Sequence, residues 1–215
     1  RLAKPRARRR PPRPIEKVGP LLHPRSAAVY GASANAMNAG RIILRNLKQA
    51  EGLDYGRLWA VHPKADRIDG VTCVASTDDL PEPVDLAVIA IPADRAAQAI
   101  QEICDTGKAR SIILIPGGFA ETGEGKRAVE VQKILAASRE REDRGPVLVG
   151  GNCLGIVSKH RYNTFFLPTY KLPFHDAPGD DLVVISQSGA YLVTFTSNLD
   201  GIVFQSLPTA SSIAA

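Results

Sequence analysis

The sequence contains only three cysteines among 215 residues, and their positions exclude two kinds of stabilising link. Cys73, Cys104 and Cys153 lie far apart, form no C-x-x-C pair, and have no histidine at the spacing of a metal ligand. We therefore expect neither a disulfide framework nor a metal site. Because an odd and sparse cysteine count is typical of a reducing compartment, the sequence predicts a cytoplasmic protein.

Long apolar runs are also missing from the sequence. No uncharged apolar stretch approaches the roughly 18 residues that a membrane-spanning helix needs, so we expect no membrane segment. The hydrophobic share of 44% and the charged share of 23% are those of an ordinary globular protein.

Acidic residues are absent from the first 14 positions, RLAKPRARRRPPRP, whose seven Arg or Lys account for the net charge of +5. A segment so rich in proline and arginine cannot bury enough apolar surface to fold alone, so we interpret residues 1–20 as an extended arm. No aromatic side chains alternate with these arginines, which disfavours binding to nucleic acid. A solvated tail is the preferred interpretation, with a transit peptide as the alternative.

From residue 26 onward, short β-rich runs alternate with longer helical runs. This pattern predicts an α/β fold, a Rossmann-like doubly wound parallel sheet with crossover helices. The apolar run DLAVIAI is typical of a central strand that is covered on both faces. We predict strands at 26–30, 57–61, 85–91, 111–115 and 146–150, and helices at about 39–50, 93–106 and 124–142.

A second β–turn–α–β pattern follows an irregular, proline-rich connector at 156–180. It comprises a strand at 182–185, the turn QSGA, a helix to about residue 198 and a strand at 201–206. A doubly wound domain needs roughly 100 residues, so we expect the domain at 21–155 to be followed at 181–215 by an incomplete second domain.

Ligands of open parallel sheets bind beyond the carboxyl ends of the strands, so the loops there should carry function. The first loop reads GASANAMNAG and lacks the usual G-x-G-x-x-G spacing. Gly31 permits a tight turn, Ser33 offers a hydroxyl, and backbone N–H groups between Asn38 and Gly40 favour an anion at a helix N-terminus. A plain strand-to-helix turn would use the same residues, so this loop alone leaves both interpretations open.

The second loop disfavours NAD, which needs an acidic residue at the end of the second strand to hold the ribose hydroxyls. Here that strand is followed by His62, Pro63 and Lys64, although Asp66 lies two residues beyond. A cation suits a phosphate on the ribose, which leaves NADP or coenzyme A.

Six motifs in order are G-A-S-x-x-x-x-x-x-G, V-H-P-K, D-L-A-V-I-A-I-P-A, P-G-G-F-A-E-x-G, G-N-C-L-G and S-Q-S-G-A. Over about residues 20 to 206, this set resembles the CoA-binding and following ligase domains of NDP-forming acyl-CoA synthetases, relatives of the succinyl-CoA synthetase α subunit. The resemblance implies a Rossmann-like CoA-binding domain followed by a flavodoxin-like domain.

In that family a carboxylic acid is activated as an acyl phosphate at the expense of ATP or GTP with Mg²⁺. The phosphoryl group travels through a phosphohistidine before the CoA thiol releases the thioester. The resemblance therefore implies an ATP-grasp domain or subunit as partner, and a homo-oligomer is a further expectation. Because the chain looks incomplete, we expect it to be inactive alone.

The resemblance also implies roles for particular residues. Lys64 would meet the adenosine-phosphate end of CoA. The expected remaining CoA-binding residues are Gly31, Ala32, Ser33, Asn38, Gly40, Ile91, Pro92, Gly117, Gly118 and Phe119. The expected phosphoryl or active-centre loops comprise Asn152, Cys153, Ser186, Gln187, Ser188 and Gly189.

The sequence departs from the family pattern at two loop positions, where the family commonly has Asn instead of His62 and Pro instead of Gly151. None of the four histidines, His23, His62, His160 and His175, falls in the context of the phosphohistidine, so no catalytic residue is assigned. Two other functions stay open. One is a CoA- or acyl-CoA-sensing module attached to a protein acetyltransferase, and the other is an NADP-dependent reductase.

Overall fold

A computed structural model describes residues 13–119, 125–158, 161–167, 184–197 and 206–208 of the chain. Seven of its strands form one sheet with the spatial order β3-β4-β2-β1-β5-β6-β7. These strands are β1 (Ala27–Tyr30), β2 (Leu58–Val61), β3 (Arg67–Ile68), β4 (Val71–Val74), β5 (Val84–Ile89), β6 (Ala109–Leu114) and β7 (Val147–Gly150).

The helices in the described ranges are α1 (Val18–Leu22), α2 (Ala39–Lys48), α3 (Ala93–Thr106), α4 (Lys126–Ser138) and α5 (Gly189–Ser197), with short 3-10 helices at Ile15–Lys17 and Tyr55–Arg57. Helices α1 to α4 cover the two faces of this sheet, whereas α5 packs on the connector. Within the described part of the chain, no helix combines the length and the apolar character that a bilayer crossing requires.

Every neighbouring pair in the large sheet is parallel except β3 with β4. The chain runs outward from β1 to β2 on one side and continues with β5 on the other side, so the strand order reverses at β1. This arrangement confirms the predicted Rossmann-like fold and creates a switch point at the carboxyl end of β1. The predicted strands and helices of the first domain also agree with the described elements to within a few residues.

The core lies on both sides of the sheet because successive strand side chains point to opposite faces. On β1, Ala28 and Tyr30 pack towards α3 and α4, whereas Ala27 and Val29 pack towards α2. Ala27, Ala28 and Val29 are fully buried, as expected for a central strand that is covered on both faces.

The structure adds a hairpin that the sequence analysis did not predict, because β3 and β4 pair just after the second loop begins at His62. Asp69 and Gly70 both have positive φ, 49° and 85°, as a two-residue hairpin turn of the primed type requires. The Asp-Gly dipeptide was the feature of the sequence that could have indicated this hairpin turn. Only two residues of β3 pair with β4, which is too short a run to show alternation in the sequence.

The described N-terminal residues also differ from the expected arm. Residues 15–22 form helical turns that contribute Leu21 to the core, so helical structure is present before the expected domain start at residue 21. Residues 1–12, RLAKPRARRRPP, lie outside the described residues.

The described parts of the connector form a small antiparallel sheet together with residues 206–208, with the order β10-β8-β9. Its strands are β8 (Ile156–Ser158), β9 (Tyr162–Asn163) and β10 (Ser206–Pro208). Phe165 and Val157 pack with Leu192 of α5, so the beginning of the second predicted domain contacts the connector. Most of the predicted strands at 182–185 and 201–206, and connector residues 168–180, lie outside the described residues.

Replacement of Tyr162 by Phe tests the junction between the connector and α1. The buried Tyr162 hydroxyl donates a hydrogen bond to the carbonyl oxygen of Leu21 at 2.6 Å. Tyr162→Phe leaves that carbonyl without its partner, so we expect the free energy of unfolding to fall by about 1–2 kcal/mol. Denaturant titration measures this, with exposed Tyr55→Phe as a control that should cost less; equal losses would contradict the prediction.

Candidate functional site

The carboxyl ends of five parallel strands meet at one edge of the sheet. Tyr30 pairs with Val61 on one side and with Ile89 on the other, and the register continues from Leu114 to Gly150. The loops that follow β1, β2, β5, β6 and β7 therefore leave the sheet at the same level. The structure thus brings the sequence-predicted loops together at one edge.

Two glycines allow the loop after β1, which we call the first loop (residues 31–38), to pack closely. Gly31 has φ +94°, and a Cβ atom on it would lie 2.6 Å from the carbonyl oxygen of Ala90. A Cβ atom on Gly40 would lie 2.6 Å from the carbonyl oxygen of Gly31. The first turn of α2 can therefore rest directly on the loop backbone that follows β1, while buried Ala32 fills the core beneath it.

Asn38 closes the first loop from within. Its Nδ2 donates to the carbonyl oxygen of Gly31 at 2.8 Å, and its Oδ1 accepts from the backbone N–H of Ser33 at 3.2 Å. The same Oδ1 accepts from the backbone N–H of Arg41 at 2.9 Å, so Asn38 is the N-cap of α2. This side chain shapes the loop from inside through these three bonds, and its place in the CoA site stays a prediction.

Ser33 has a similar role, because its Oγ accepts from the backbone N–H groups of Asn35 at 3.3 Å and Ala36 at 3.1 Å. Its hydroxyl hydrogen can still be donated. The N–H groups of Ala39 and Gly40, in the first turn of α2, have no partner within the helix. The first loop therefore offers backbone donors and one hydroxyl donor, which suit an anion.

In the second loop, His62 caps the backbone as an asparagine would. Its Nδ1 accepts from the backbone N–H groups of Lys64 at 3.2 Å and Ala65 at 2.9 Å. An Asn carbonyl oxygen can accept the same bonds, which explains physically how His and Asn replace one another here. The Lys64 side chain is exposed and has no ion pair with another described residue.

The loops after β5 and β6 differ in what they expose. Ile91 is half-buried against the core, whereas Pro92 and Gly117 are exposed. The carbonyl oxygen of Gly118 accepts from Arg127 Nη1 at 3.0 Å, which ties this loop to α4.

Phe119 is only 1% exposed, so its ring supports the loop from the core and does not face the sheet edge. A Cβ atom on Gly151 would lie 2.9 Å from that ring. The backbone N–H of Asn152 also bonds to the carbonyl oxygen of Pro116 at 2.8 Å. The loops after β6 and β7 therefore pack on each other, with the Asn152 side chain exposed.

Cys153 is buried and donates from Sγ to the carbonyl oxygen of Leu114 at 3.2 Å. Burial raises the pKa of its thiol to about 12. A thiol that stays protonated at neutral pH is a poor nucleophile, so Cys153 has a structural place beneath the exposed Asn152.

The turn before α5 lies beside this loop. Ser186 Oγ donates to the carbonyl oxygen of Ser188 at 2.9 Å, and Ser188 Oγ accepts from the backbone N–H of Tyr191 at 3.2 Å. A Cβ atom on Gly189 would lie 2.8 Å from Cγ of Leu154, so the two loops touch there. Gln187 is exposed at the apex of the turn.

Asp69, which the sequence analysis did not select, is the best-bonded carboxylate at this end of α2. It accepts two hydrogen bonds each from the guanidinium groups of Arg41 and Arg45. The bonds from Arg41, and next those from Arg45, hold its pKa well below the usual range. Because four N–H groups occupy this carboxylate, it cannot also hold ribose hydroxyls. The i, i+4 spacing of Arg41 and Arg45 was the feature of the sequence that could have indicated a shared acidic partner.

Comparisons with known proteins agree with this geometry. Residues 25–159 match the family described as CoA binding domain. The chain belongs to that family.

Among the described residues, no cluster of three His, Cys, Asp or Glu side chains could hold a metal ion.

Curated relatives of this CoA-binding domain protein include two archaeal ligases. The acetate–CoA ligase (ADP-forming) of Methanocaldococcus jannaschii is 30% identical over 173 residues, covering 80% of this chain and 22% of the ligase. The α subunit of acetate–CoA ligase (ADP-forming) II of Pyrococcus furiosus is 31% identical over 171 residues, covering 79% of this chain and 34% of the subunit. The chain thus spans about a fifth to a third of the length of these relatives.

A solved structure extends the similarity. The apo form of acetyl-coenzyme A synthetase 1 from Ca. Korarchaeum cryptofilum superposes with a TM-score of 0.77 at 28% identity, covering 92% of this chain and 41% of that one. These comparisons confirm the resemblance to NDP-forming acyl-CoA synthetases that the six motifs indicated.

Thiol labelling tests the placement of the cysteines in this CoA-binding domain. Cys104 and Cys153 are buried, and burial raises their pKa values to about 11 and about 12. We expect a disulfide reagent at pH 8 to label only the partly exposed Cys73 in the native protein, and all three thiols after unfolding in guanidinium. Cys73→Ser should abolish the native reaction. Fast native labelling of Cys153 would contradict this placement.

Substitution of His62 tests the backbone cap of the second loop. His62→Ala removes the acceptor for the N–H groups of Lys64 and Ala65, so we expect their amide hydrogens to exchange several-fold faster. His62→Asn supplies an oxygen in the same role and should keep exchange near that of the wild type. The capping role is wrong if both variants exchange alike.

Proposed function

We propose that this chain is the CoA-binding part of an NDP-forming acyl-CoA synthetase and holds CoA along the shared carboxyl edge of its sheet. The observation that carries the proposal is the close backbone packing at Gly31 and Gly40. A Cβ atom on either residue would lie 2.6 Å from a backbone carbonyl oxygen. Such close packing leaves backbone N–H groups facing outward at the start of α2, where a ligand phosphate can approach them.

The phosphates of CoA fit the first loop because its donors include the N–H groups of Ala39 and Gly40 and the Ser33 hydroxyl. The ten-residue helix α2 adds the positive end of its dipole. Lys64, exposed on the adjacent loop, supplies a cation for the 3′-phosphate that distinguishes CoA from most other nucleotides.

The pantetheine arm would then run past Ile91, Pro92, Gly117 and Gly118 towards the loop that holds Asn152. Gly117 presents no side chain, so a flexible arm can lie close to the backbone there. Phe119 and Cys153 would act as packing beneath these loops, because both side chains are buried. The turn from Ser186 to Gly189 touches the Asn152 loop through Leu154 and would face the thiol end.

The rest of the reaction is assigned to parts of a complete ligase that this chain does not span. We propose that a carboxylic acid is activated there as an acyl phosphate, with ATP or GTP and Mg²⁺ bound by an ATP-grasp domain or subunit. Relatives named as ADP-forming acetate–CoA ligases, one of them as an α subunit, support this assignment over the regulatory module and the reductase. The phosphohistidine, a homo-oligomer and a cytoplasmic location stay predictions.

Calorimetric titration of the chain with CoA and dephospho-CoA tests this proposal. We expect CoA to bind more tightly, and Lys64→Ala to weaken CoA binding about tenfold through loss of one charge-assisted contact. The same variant should leave the affinity for dephospho-CoA unchanged. Lys133→Ala, which removes an exposed lysine of α4, should change neither affinity and serves as the matched control.

Two results would count against the proposal in different ways. Failure of the wild-type chain to bind CoA would refute the function itself. Equal affinity of the wild type for CoA and dephospho-CoA would leave the function standing and remove the role of Lys64.

A further inference from the structure

We propose that Arg41 is a positioning residue for the first loop, held in place by Asp69 of the β3–β4 hairpin. This inference rests on the proposed CoA site and names a part of its machinery that lies outside the six motifs. Arg41 is not a phosphate ligand in this proposal. It acts by fixing the backbone that binds the phosphates.

The Arg41 guanidinium reaches two separate elements. Its Nε and Nη2 donate to the two carboxylate oxygens of Asp69 at 2.8 and 2.7 Å, which is a bidentate pair. Its Nη1 donates to the carbonyl oxygen of Ala34, in the middle of the first loop, at 3.2 Å. One side chain therefore joins the loop to the hairpin.

Asp69 is itself fixed from several directions. Arg45 adds a second bidentate pair at 2.8 and 3.2 Å, and Lys48 Nζ donates to the Asp69 carbonyl oxygen at 2.8 Å. The Asp69 side chain is 16% exposed and that of Arg41 is 19% exposed, so solvent reaches this pair less than an open surface pair. Such a shielded, doubly bidentate arrangement holds geometry better than an isolated surface ion pair.

The charge of Asp69 makes its presence informative. A carboxylate near a site for several phosphates opposes their binding by Coulomb repulsion. If Asp69 were only a charge, its removal would strengthen CoA binding. If it holds Arg41 and the first loop, its removal weakens CoA binding because the loop must then be ordered at the expense of binding energy.

The experiment uses Asp69→Asn, which keeps a residue that tolerates the left-handed backbone at this turn while it removes the charge. We expect calorimetry to show CoA affinity about tenfold lower, with an equal loss for dephospho-CoA. Arg41→Lys provides a second variant that conserves charge but loses the bidentate pair, and we expect a similar loss. Asp66→Asn removes an exposed carboxylate nearby and should lower the affinity for neither CoA nor dephospho-CoA.

Amide hydrogen exchange of the free protein gives a readout that does not depend on CoA. Loosening of the first loop should speed exchange at Asn35 and Ala36, whereas amides of β5 should keep wild-type protection.

Faster loop exchange together with weaker binding of both ligands supports the proposal. Wild-type or tighter CoA binding by both Asp69→Asn and Arg41→Lys would overturn it, as would a loss confined to CoA. If wild-type protein does not bind CoA, the proposed function fails. Amide hydrogen exchange alone then decides whether the pair of Arg41 and Asp69 orders the first loop.

Discussion

The close contact between two pieces of backbone, at Gly31 and at Gly40, is the constraint on which the rest of the site depends. Neither position has room for a Cβ atom, since each would meet a carbonyl oxygen at 2.6 Å. Because α2 can start directly against the loop backbone that follows β1, its first N–H groups reach the sheet edge at the point where the strand order reverses. The site is thus made first by backbone and only then by side chains.

Polar side chains at this edge mostly shape loops. Asn38, Ser33 and His62 each accept backbone N–H groups of their own loops. A loop held by such bonds needs little further ordering when a ligand arrives, and this reduces the entropic cost of binding. Preorganisation of this kind is consistent with membership of the CoA binding domain family, since CoA is a long, flexible and polyanionic ligand.

The sheet edge also joins the two predicted domains. The loop after β7 packs on the loop after β6 through Gly151 and Phe119, and it touches the turn before α5 through Leu154 and Gly189. Buried Asn46 of α2 donates to the carbonyl oxygen of Phe165 at 2.7 Å, and Phe165 packs with Leu192 of α5. The helix that begins at the proposed phosphate site is therefore packed, through the connector, to the start of the next module.

The sequence by itself determined the fold class, the positions of β1, β2, β5, β6, β7, α2, α3 and α4, and the family. These follow from apolar periodicity and from glycine-containing loops of fixed spacing, which are local properties of the chain. Only the tertiary structure decided which named residues face outward: Lys64 and Asn152 are exposed, whereas Phe119 and Cys153 are buried. It also decided the pairing of Asp69 with Arg41 and Arg45, since those residues are 28 and 24 positions apart and meet only when the hairpin folds against α2. Burial and long-range ion pairs depend on neighbours that a linear pattern does not identify.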